Sequence, residues 1–203
     1  MAEQKTNAMR ILDQKNIRYE VITYDVGDFK DSILAAEKAG IPLDKEYKTL
    51  IAQGKSERYS VFVVPAASEM DMKKAARAVD EKSVSLIPVK DINRITGYVR
   101  GGCSPLGIKR QCRIVIDESA KHHNLVYISG GKLGCTISLS PLDLADAADA
   151  VFGDITLVYQ NDDPQIVTSR HNHDIDNRSD PDNSNGPTVL ADVWNTDVRI
   201  AHY

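Results

Sequence analysis

A chain of 203 residues has room for one domain with an appendage, or for two small domains, and 42% hydrophobic residues are enough for a packed core. The net charge is −4, and three cysteines without a Cys-x-x-Cys pair argue against a disulfide framework and a structural zinc site. No apolar leader or membrane-length apolar run is present, so a cytoplasmic protein with free thiols is expected.

In chain order, the first predicted elements are a helix, a strand and a second helix. Thr6 or Asn7 can cap the first helix, in which apolar residues recur at helical spacing. Residues 18–24 are rich in β-branched and aromatic side chains, which favours a strand. Residues 32–39 then predict a short helix that ends at Gly40.

The middle of the chain predicts a β-hairpin followed by a helix, a strand and a short helix. Residues 48–53 and 58–64 are two apolar runs on either side of a Gly-Lys turn, as in a hairpin. Residues 71–79 carry apolar side chains on one helical face, residues 84–89 predict a strand, and residues 90–96 predict a short helix.

The last elements of the core are strands and one helix. Three strands are predicted, at residues 112–117, 124–128 and 135–139. Ser140 as a cap and Pro141 at the first helical position predict a final helix over residues 142–151. Helices and strands mix without a regular βαβ repeat, so residues 1–155 are predicted to form one α+β domain, with a mixed, mostly antiparallel β-sheet and flanking helices.

Residues 156–203 differ from this core in composition. They contain 3 Lys and Arg against 8 Asp and Glu, and 11 of the 27 residues from 160 to 186 are Asp or Asn. Such a segment predicts an acidic, flexible extension, although residues 187–203 regain apolar side chains and could dock as a strand or short helix. Its acidic residues lack the Gly and Glu spacing of a calcium loop, so no metal or cofactor site is assigned.

Basic residues are concentrated in one part of the core. Residues 73–113 contain ten Lys and Arg but only three acidic residues. This surplus of positive charge could attract a polyanion such as RNA, or it could be solvated on helix faces. Composition alone leaves both alternatives open.

Three short strings of residues have the composition expected of a ligand-binding or catalytic site. They are Lys48-Thr49-Leu50, the glycine-rich residues 101–107 (GGCSPLG) and the glycine-rich residues 129–134 (SGGKLG). Glycine lets the backbone turn sharply or approach a ligand closely. Backbone N–H groups and one positive charge would suit a ligand that has a carbonyl group and a phosphate.

Together with Ser-Pro-Leu-Asp-Leu at residues 140–144, these strings resemble the YbaK/EbsC family. The family consists of trans-editing aminoacyl-tRNA deacylases related to the insertion domain of bacterial prolyl-tRNA synthetases, and the resemblance runs from about residue 6 to residue 155. It implies a similar fold and the hydrolysis of a mischarged tRNA, Cys-tRNA(Pro) in particular, without a cofactor. The implied partners are tRNA(Pro) and prolyl-tRNA synthetase.

Two alternatives to this activity remain. Relatives specific for alanine share the glycine strings, so the substrate could be Ala-tRNA(Pro) or another mischarged tRNA. A noncatalytic module that binds tRNA or a protein partner is the other alternative, although the intact lysine and glycine strings argue against it.

The resemblance also implies which residues form the site. Catalytic roles are expected for Lys48, which would contact the aminoacyl-adenosine end of the tRNA, and for Gly101 and Gly102, which would lie nearest to the ester. Asp143 equally suits a structural role in the first turn of a helix. The residues expected to contact the substrate are Tyr24, Phe29, Thr49, Ser104, Pro105, Ser129, Gly130 and Asp143.

Cys103 lies between Gly-Gly and Ser-Pro, where a thiol nucleophile is conceivable. No histidine lies in or near the three strings, so Cys103 is interpreted as a small apolar side chain and Ser104 as lacking a base. For the cysteine-specific branch of the family, the implied mechanism is substrate-assisted: the cysteine thiol of the substrate attacks its own ester. Orientation alone can lower such a barrier by ~7–11 kcal/mol.

Overall fold

The computed structural model describes residues 4–25, 40–157 and 199–202. The helices in these residues are α1 (Asn7–Gln14), α2 (Met72–Ala78), α3 (Ile92–Thr96) and α4 (Pro141–Ala148). The strands are β1 (Glu20–Thr23), β2 (Tyr47–Gly54), β3 (Tyr59–Pro65), β4 (Val84–Leu86), β5 (Arg113–Asp117), β6 (Val126–Ser129), β7 (Cys135–Leu139), β8 (Ala150–Gly153) and β9 (Arg199–His202). None of these helices is long and apolar enough to cross a membrane.

The strands form two sheets. One has the order β6-β7-β1-β9 and is antiparallel throughout. The other has the order β4-β2-β3-β5-β8, in which β5 pairs in parallel with β3 and β8 while the other pairs are antiparallel. The α+β class with mostly antiparallel pairing is therefore confirmed, with the strands divided between two sheets.

The second sheet is buried on both faces at its centre. In β3, Val61 and Val63 belong to the main core, which also contains α1 and α4. Phe62 and Val64 point the other way, into a smaller core under α2. All four are fully buried, and burial of each such side chain stabilises the fold by roughly 1.5–3 kcal/mol. This explains why β3 is apolar without interruption from Val61 to Val64 instead of alternating.

The end of α4 corrects the sequence-based prediction of one helix over residues 142–151. The start is as predicted, because Ser140 Oγ accepts the Leu142 N–H and Pro141 takes the first helical position. The helix ends at Ala148, since Asp149 adopts a left-handed conformation with φ of 50°. Residues 150–153 then form β8, whose parallel pairing with β5 outweighs the helical pattern of their side chains.

Other predicted elements differ in their bounds. The strand predicted over residues 84–89 ends at Leu86, and a 3₁₀ turn, Val89–Asp91, precedes α3. The predicted hairpin is present as β2 and β3, seven to eight residues long. The helix predicted at residues 32–39 lies outside the described residues.

The final described strand belongs to the C-terminal extension. Residues 199–202 pair with the outer edge of β1 in antiparallel register, from Glu20 opposite His202 to Thr23 opposite Arg199. This agrees with the expectation that the apolar end of the tail docks as a strand. The acidic segment predicted to be flexible lies outside the described residues, and the domain boundary at residue 155 stays a prediction.

Candidate active site

A cleft of about 420 Å³ opens beside the first half of β2. β4 pairs with β2 only at residues 52–54, so the cleft can reach the preceding residues of that strand. Its lining residues are Tyr24, residues 46–51, Ala66, Leu86, Ile87, Val89, Ile92, Arg100, Gly101, Cys103, Ser129, Lys132, Cys135 and Thr136. The cleft thus brings together the lysine string and both glycine-rich strings.

Lys48 lies in β2 at the wall of this cleft. Its Nζ donates a hydrogen bond to the carbonyl oxygen of Ala66 at 2.8 Å. Half-burial lowers the pKa of Lys48 below its ordinary value, and the nearby carboxylate of Glu69 partly offsets this effect. Nζ makes no other hydrogen bond within the described residues, so two of its three N–H groups can serve a ligand.

Thr49 lines the same cleft and carries a polar atom without a partner. Its Oγ1 is buried and has no hydrogen-bond partner among the residues that the structure describes. A buried hydroxyl without a partner costs about 1–3 kcal/mol. A bound water or a ligand at this position would restore the missing hydrogen bond.

The loop at Gly101 and Gly102 packs against the second glycine string. Gly101 has φ of +81°, and a Cβ there would come within 2.9 Å of Leu133 Cδ2. A Cβ on Gly102 would lie 3.1 Å from Leu133 N, and the Gly102 N–H already donates to Val99 O at 3.0 Å. Gly102 therefore shapes the loop. Gly101 and Cys103 line the cleft, and their backbone N–H groups donate no hydrogen bond within the described residues, so both can donate to a ligand.

The glycines of the second string are required by the turn between β6 and β7. The Gly130 N–H donates to Cys135 O at 2.8 Å, and a Cβ on Gly130 would lie 2.5 Å from Cys135 Sγ. Ser129 Oγ accepts the Gly131 N–H at 3.3 Å, which fixes the start of the turn. Ser129 and Cys135 themselves line the cleft, so the turn forms part of its wall.

Tyr24 closes the cleft on the side of the first sheet. Its hydroxyl lies 3.3 Å from Thr136 Oγ1, and both side chains line the cleft. Burial raises the pKa of Tyr24, so the phenol stays protonated at neutral pH and can donate or accept a hydrogen bond. The expected position of Tyr24 beside the substrate is compatible with this geometry.

Cys103 lines the cleft but is a poor nucleophile. Burial raises the pKa of its thiol to about 11, which keeps it protonated at neutral pH. No histidine lines the cleft in the part of the chain that the structure describes. These facts agree with the interpretation of Cys103 as a small apolar side chain.

Several predicted site residues do not line the cleft. Gly102, Ser104, Pro105 and Gly130 are buried beside it, and Ser104 Oγ accepts the Leu106 N–H at 3.4 Å. Asp143 is exposed in the first turn of α4, where the helix dipole stabilises a carboxylate. Phe29 lies outside the described residues.

The cleft also contains residues that the sequence did not single out. Arg100 and Lys132 add two cations to Lys48, and Glu46 is the one carboxylate among the described lining residues. Arg100 precedes Gly101 and Lys132 lies inside the second glycine string, so proximity to these strings could have identified both. The excess of positive charge favours an anionic ligand.

Comparisons with known proteins agree on one family. A model described as an aminoacyl-tRNA editing domain matches residues 28–147. EbsC of Enterococcus faecalis, provisionally named a Cys-tRNA(Pro)/Cys-tRNA(Cys) deacylase, is 36% identical over 157 residues, which are 76% of this chain and 94% of EbsC. YwhH of Bacillus subtilis, an uncharacterised protein, is 27% identical over 126 residues, 60% of this chain and 80% of YwhH.

A solved structure shows the same fold. It is described as a provisional trans-editing enzyme for prolyl-tRNA synthetase and superposes with a TM-score of 0.65. The match covers 77% of this chain and 100% of that one at 20% sequence identity. At this level of identity the likeness concerns the fold alone.

Proposed function

Because the chain belongs to the aminoacyl-tRNA editing domain family, we propose that it is a trans-editing hydrolase that deacylates mischarged Cys-tRNA(Pro). The family resemblance found in the sequence is confirmed, since the family model spans more than half of the chain. The observation that carries the proposal is that Lys48, Thr49, Gly101 and Ser129 line one cleft although they come from distant parts of the sequence.

Lys48 is proposed to anchor the acylated end of the tRNA. Its bond to Ala66 fixes the ammonium at the cleft wall and leaves two N–H groups for the substrate. The N–H groups of Gly101 and Cys103 and the Thr49 hydroxyl can donate hydrogen bonds to the ester carbonyl or to the ribose oxygens. Donors that are fixed in advance stabilise the negative charge that develops on the carbonyl oxygen.

The proposed chemistry takes place within the substrate. The cysteine sulfur attacks its own ester carbonyl, so a C–S bond forms and the ester C–O bond breaks. The thiol proton passes to the ribose oxygen, which releases the tRNA with a free hydroxyl group. Water then opens the cyclic thioester and yields free cysteine.

Such a reaction needs little from the protein beyond orientation and polarisation. Orientation can lower an intramolecular barrier by ~7–11 kcal/mol. This agrees with a cleft in which the thiol of Cys103 stays protonated and which no described histidine lines. Tyr24 and Thr136 would hold the amino acid at the closed side of the cleft.

The partners follow from this substrate. We propose mischarged tRNA(Pro) as the partner, and prolyl-tRNA synthetase as the enzyme whose errors are corrected. EbsC, which is named for tRNA(Pro) and tRNA(Cys), supports a cysteinyl substrate. The cytoplasmic location expected from the sequence is part of this proposal, because charged tRNA is used in translation there.

The proposal is tested by incubating the purified protein with Cys-tRNA(Pro) and Ala-tRNA(Pro) separately. Rapid loss of the cysteinyl ester is expected, with much slower loss of the alanyl ester. Lys55→Ala, a change of an exposed lysine in the turn between β2 and β3, is the matched control for Lys48→Ala. Hydrolysis of the alanyl ester alone would indicate the alanine-specific alternative, and hydrolysis of neither would indicate a binding module.

A further inference from the structure

Three exposed apolar side chains and one exposed arginine lie in the cleft or next to its glycine loop. We call Leu86, Val89, Arg100 and Leu133 the cleft rim. Leu86 and Val89 line the cleft although they are 46% and 54% exposed, and Leu133 is 49% exposed. Large apolar side chains that stay exposed at a pocket often mark a binding surface.

Arg100 belongs to the same surface. It is exposed, it lines the cleft, and it makes no ion pair or hydrogen bond with any residue that the structure describes. By contrast, Lys74, Arg94 and Arg113 of the same basic stretch are paired with Asp154, Asp91 and Asp80. The guanidinium of Arg100 is therefore available to an external anion.

The packing of the glycine loops joins Arg100 to Leu133. Gly101, the next residue, lies so close to Leu133 that a Cβ on it would come within 2.9 Å of Leu133 Cδ2. Leu86 is the last residue of β4, and Val89 begins the 3₁₀ turn before α3, so both come from a separate segment. The rim thus offers apolar contact from two segments and one guanidinium beside the loop that is proposed to hold the ester.

This combination matches an unpaired nucleotide better than a peptide or a lipid. A guanidinium binds a phosphate in a bidentate manner. Proteins that bind single-stranded nucleic acid combine a positively charged groove with side chains that pack on the bases; these are usually aromatic, and at the cleft rim aliphatic side chains would take their place. With Lys48 and Lys132 also lining the cleft against one carboxylate, the charge favours a phosphodiester strand.

We propose that the cleft rim binds the unpaired 3′-terminal nucleotides of the acylated tRNA, with Arg100 on a phosphodiester and Leu86, Val89 and Leu133 against a base. This inference rests on the proposed function and deepens it by assigning the residues that make the enzyme depend on RNA. Arg100 and Gly101 are adjacent and both line the cleft, so one terminal nucleotide could contact Arg100 through its phosphate and Gly101 through its ester.

The inference is tested by the binding of uncharged tRNA(Pro) at several salt concentrations. Arg100→Ala is expected to raise the Kd about tenfold at moderate salt and to lower the slope of log K against log salt by about one. Arg100→Lys should recover the salt slope but only part of the affinity, because lysine keeps the charge and loses the bidentate contact. Val89→Ser should weaken binding without a change in slope, and Lys55→Ala is the control.

A second measurement uses two substrates, Cys-tRNA(Pro) and cysteinyl-adenosine, which lacks phosphates. Arg100→Ala should raise KM for the tRNA far more than it raises KM for the nucleoside ester, whereas Lys55→Ala should alter neither. Unaltered tRNA binding by Arg100→Ala, or equal losses on both substrates, would overturn the inference. A wild-type protein that binds tRNA through Arg100 but hydrolyses neither ester would support the rim and contradict the proposed function.

Discussion

Lys48 and Ala66 are joined by a hydrogen bond from Nζ to the carbonyl oxygen, 2.8 Å long. The Ala66 N–H in turn donates to Glu46 O at 2.7 Å, so the acceptor is held by the end of the β2–β3 pair. The Lys48 side chain therefore has one fixed hydrogen-bond partner, which orients its ammonium group. The remaining N–H groups of its ammonium are the basis of the mechanism proposed above.

Replacement of Lys48 separates positioning from nucleophilic catalysis. Lys48→Ala should lower kcat/KM for Cys-tRNA(Pro) by about 10²–10³-fold, the usual loss when a donor to a developing oxyanion is removed. Cys103→Ser should retain activity within a few-fold, because the Cys103 thiol is protonated and the serine side chain is close to it in size. Steady-state deacylation measures both variants. An inactive Cys103→Ser beside an active Lys48→Ala would require a protein nucleophile.

The rate should depend on pH through two groups. The rising limb follows ionisation of the substrate thiol, near pH 8.5 for an ordinary cysteine. Burial disfavours the charged form of Lys48 and lowers its pKa. The rate should therefore fall as the pH rises and Lys48 loses its proton, and the midpoint of this alkaline limb should lie below about 10.4, the ordinary pKa of lysine.

The pH–rate profile of Lys48→Arg is the control for assigning the alkaline limb to Lys48. An arginine stays charged throughout, so the alkaline limb of the pH–rate profile should disappear. An alkaline limb that is unchanged in Lys48→Arg would show that another group causes it.

Much of the fold could be predicted from local patterns. The β2–β3 hairpin, the Ser140-Pro141 helix start and the capping of α1 by Thr6 all follow from neighbouring residues. β8 could not be predicted in this way, because residues 142–151 read continuously as an apolar helical face. Its existence depends on Asp149, a non-glycine residue in a left-handed conformation, and on pairing with a strand more than thirty residues away.

The site was predictable where short strings carry it. Lys48, Thr49, Gly101, Ser129 and Tyr24, which the sequence assigned to a site, line one cleft, and their catalytic and substrate-binding roles stay predictions. Thr136 and Ala66 reach the cleft because β7 pairs with β1 and β3 pairs with β2, which a linear pattern does not reveal.

The turn at Gly130 gives a prediction about stability. Gly130→Ala would place a Cβ 2.5 Å from Cys135 Sγ, so it should destabilise the protein by about 1–3 kcal/mol and reduce deacylation. Cys135→Ala removes the clashing sulfur, and the double variant should recover part of the loss. Denaturant unfolding of the two single variants and the double variant measures the coupling. Additive effects would show that the sulfur is not the obstacle.

The C-terminal extension should be dispensable for the chemistry. All the cleft-lining residues that the structure describes lie between Tyr24 and Thr136, so deacylation should stay within a few-fold when residues 158–203 are deleted. The deletion also removes β9 from the edge of β1, and each kcal/mol of stability lost should lower Tm by about 2–4 °C. Deletion of residues 199–203 alone should reproduce the same fall in Tm. Loss of all activity in either deletion would show that the tail completes the site.

Substrate-assisted cleavage is tested most directly by comparing Cys-tRNA(Pro) with Ser-tRNA(Pro), whose side chain is nearly the same size but has no thiol. Single-turnover deacylation by the wild-type protein, with enzyme in excess over each tRNA, removes differences in affinity from the comparison. The mechanism predicts a rate for the cysteinyl ester at least about 100-fold above that for the seryl ester, because a hydroxyl is far less ionised than a thiol at neutral pH. Equal rates for the two esters would contradict it and would assign the attack to water or to the protein.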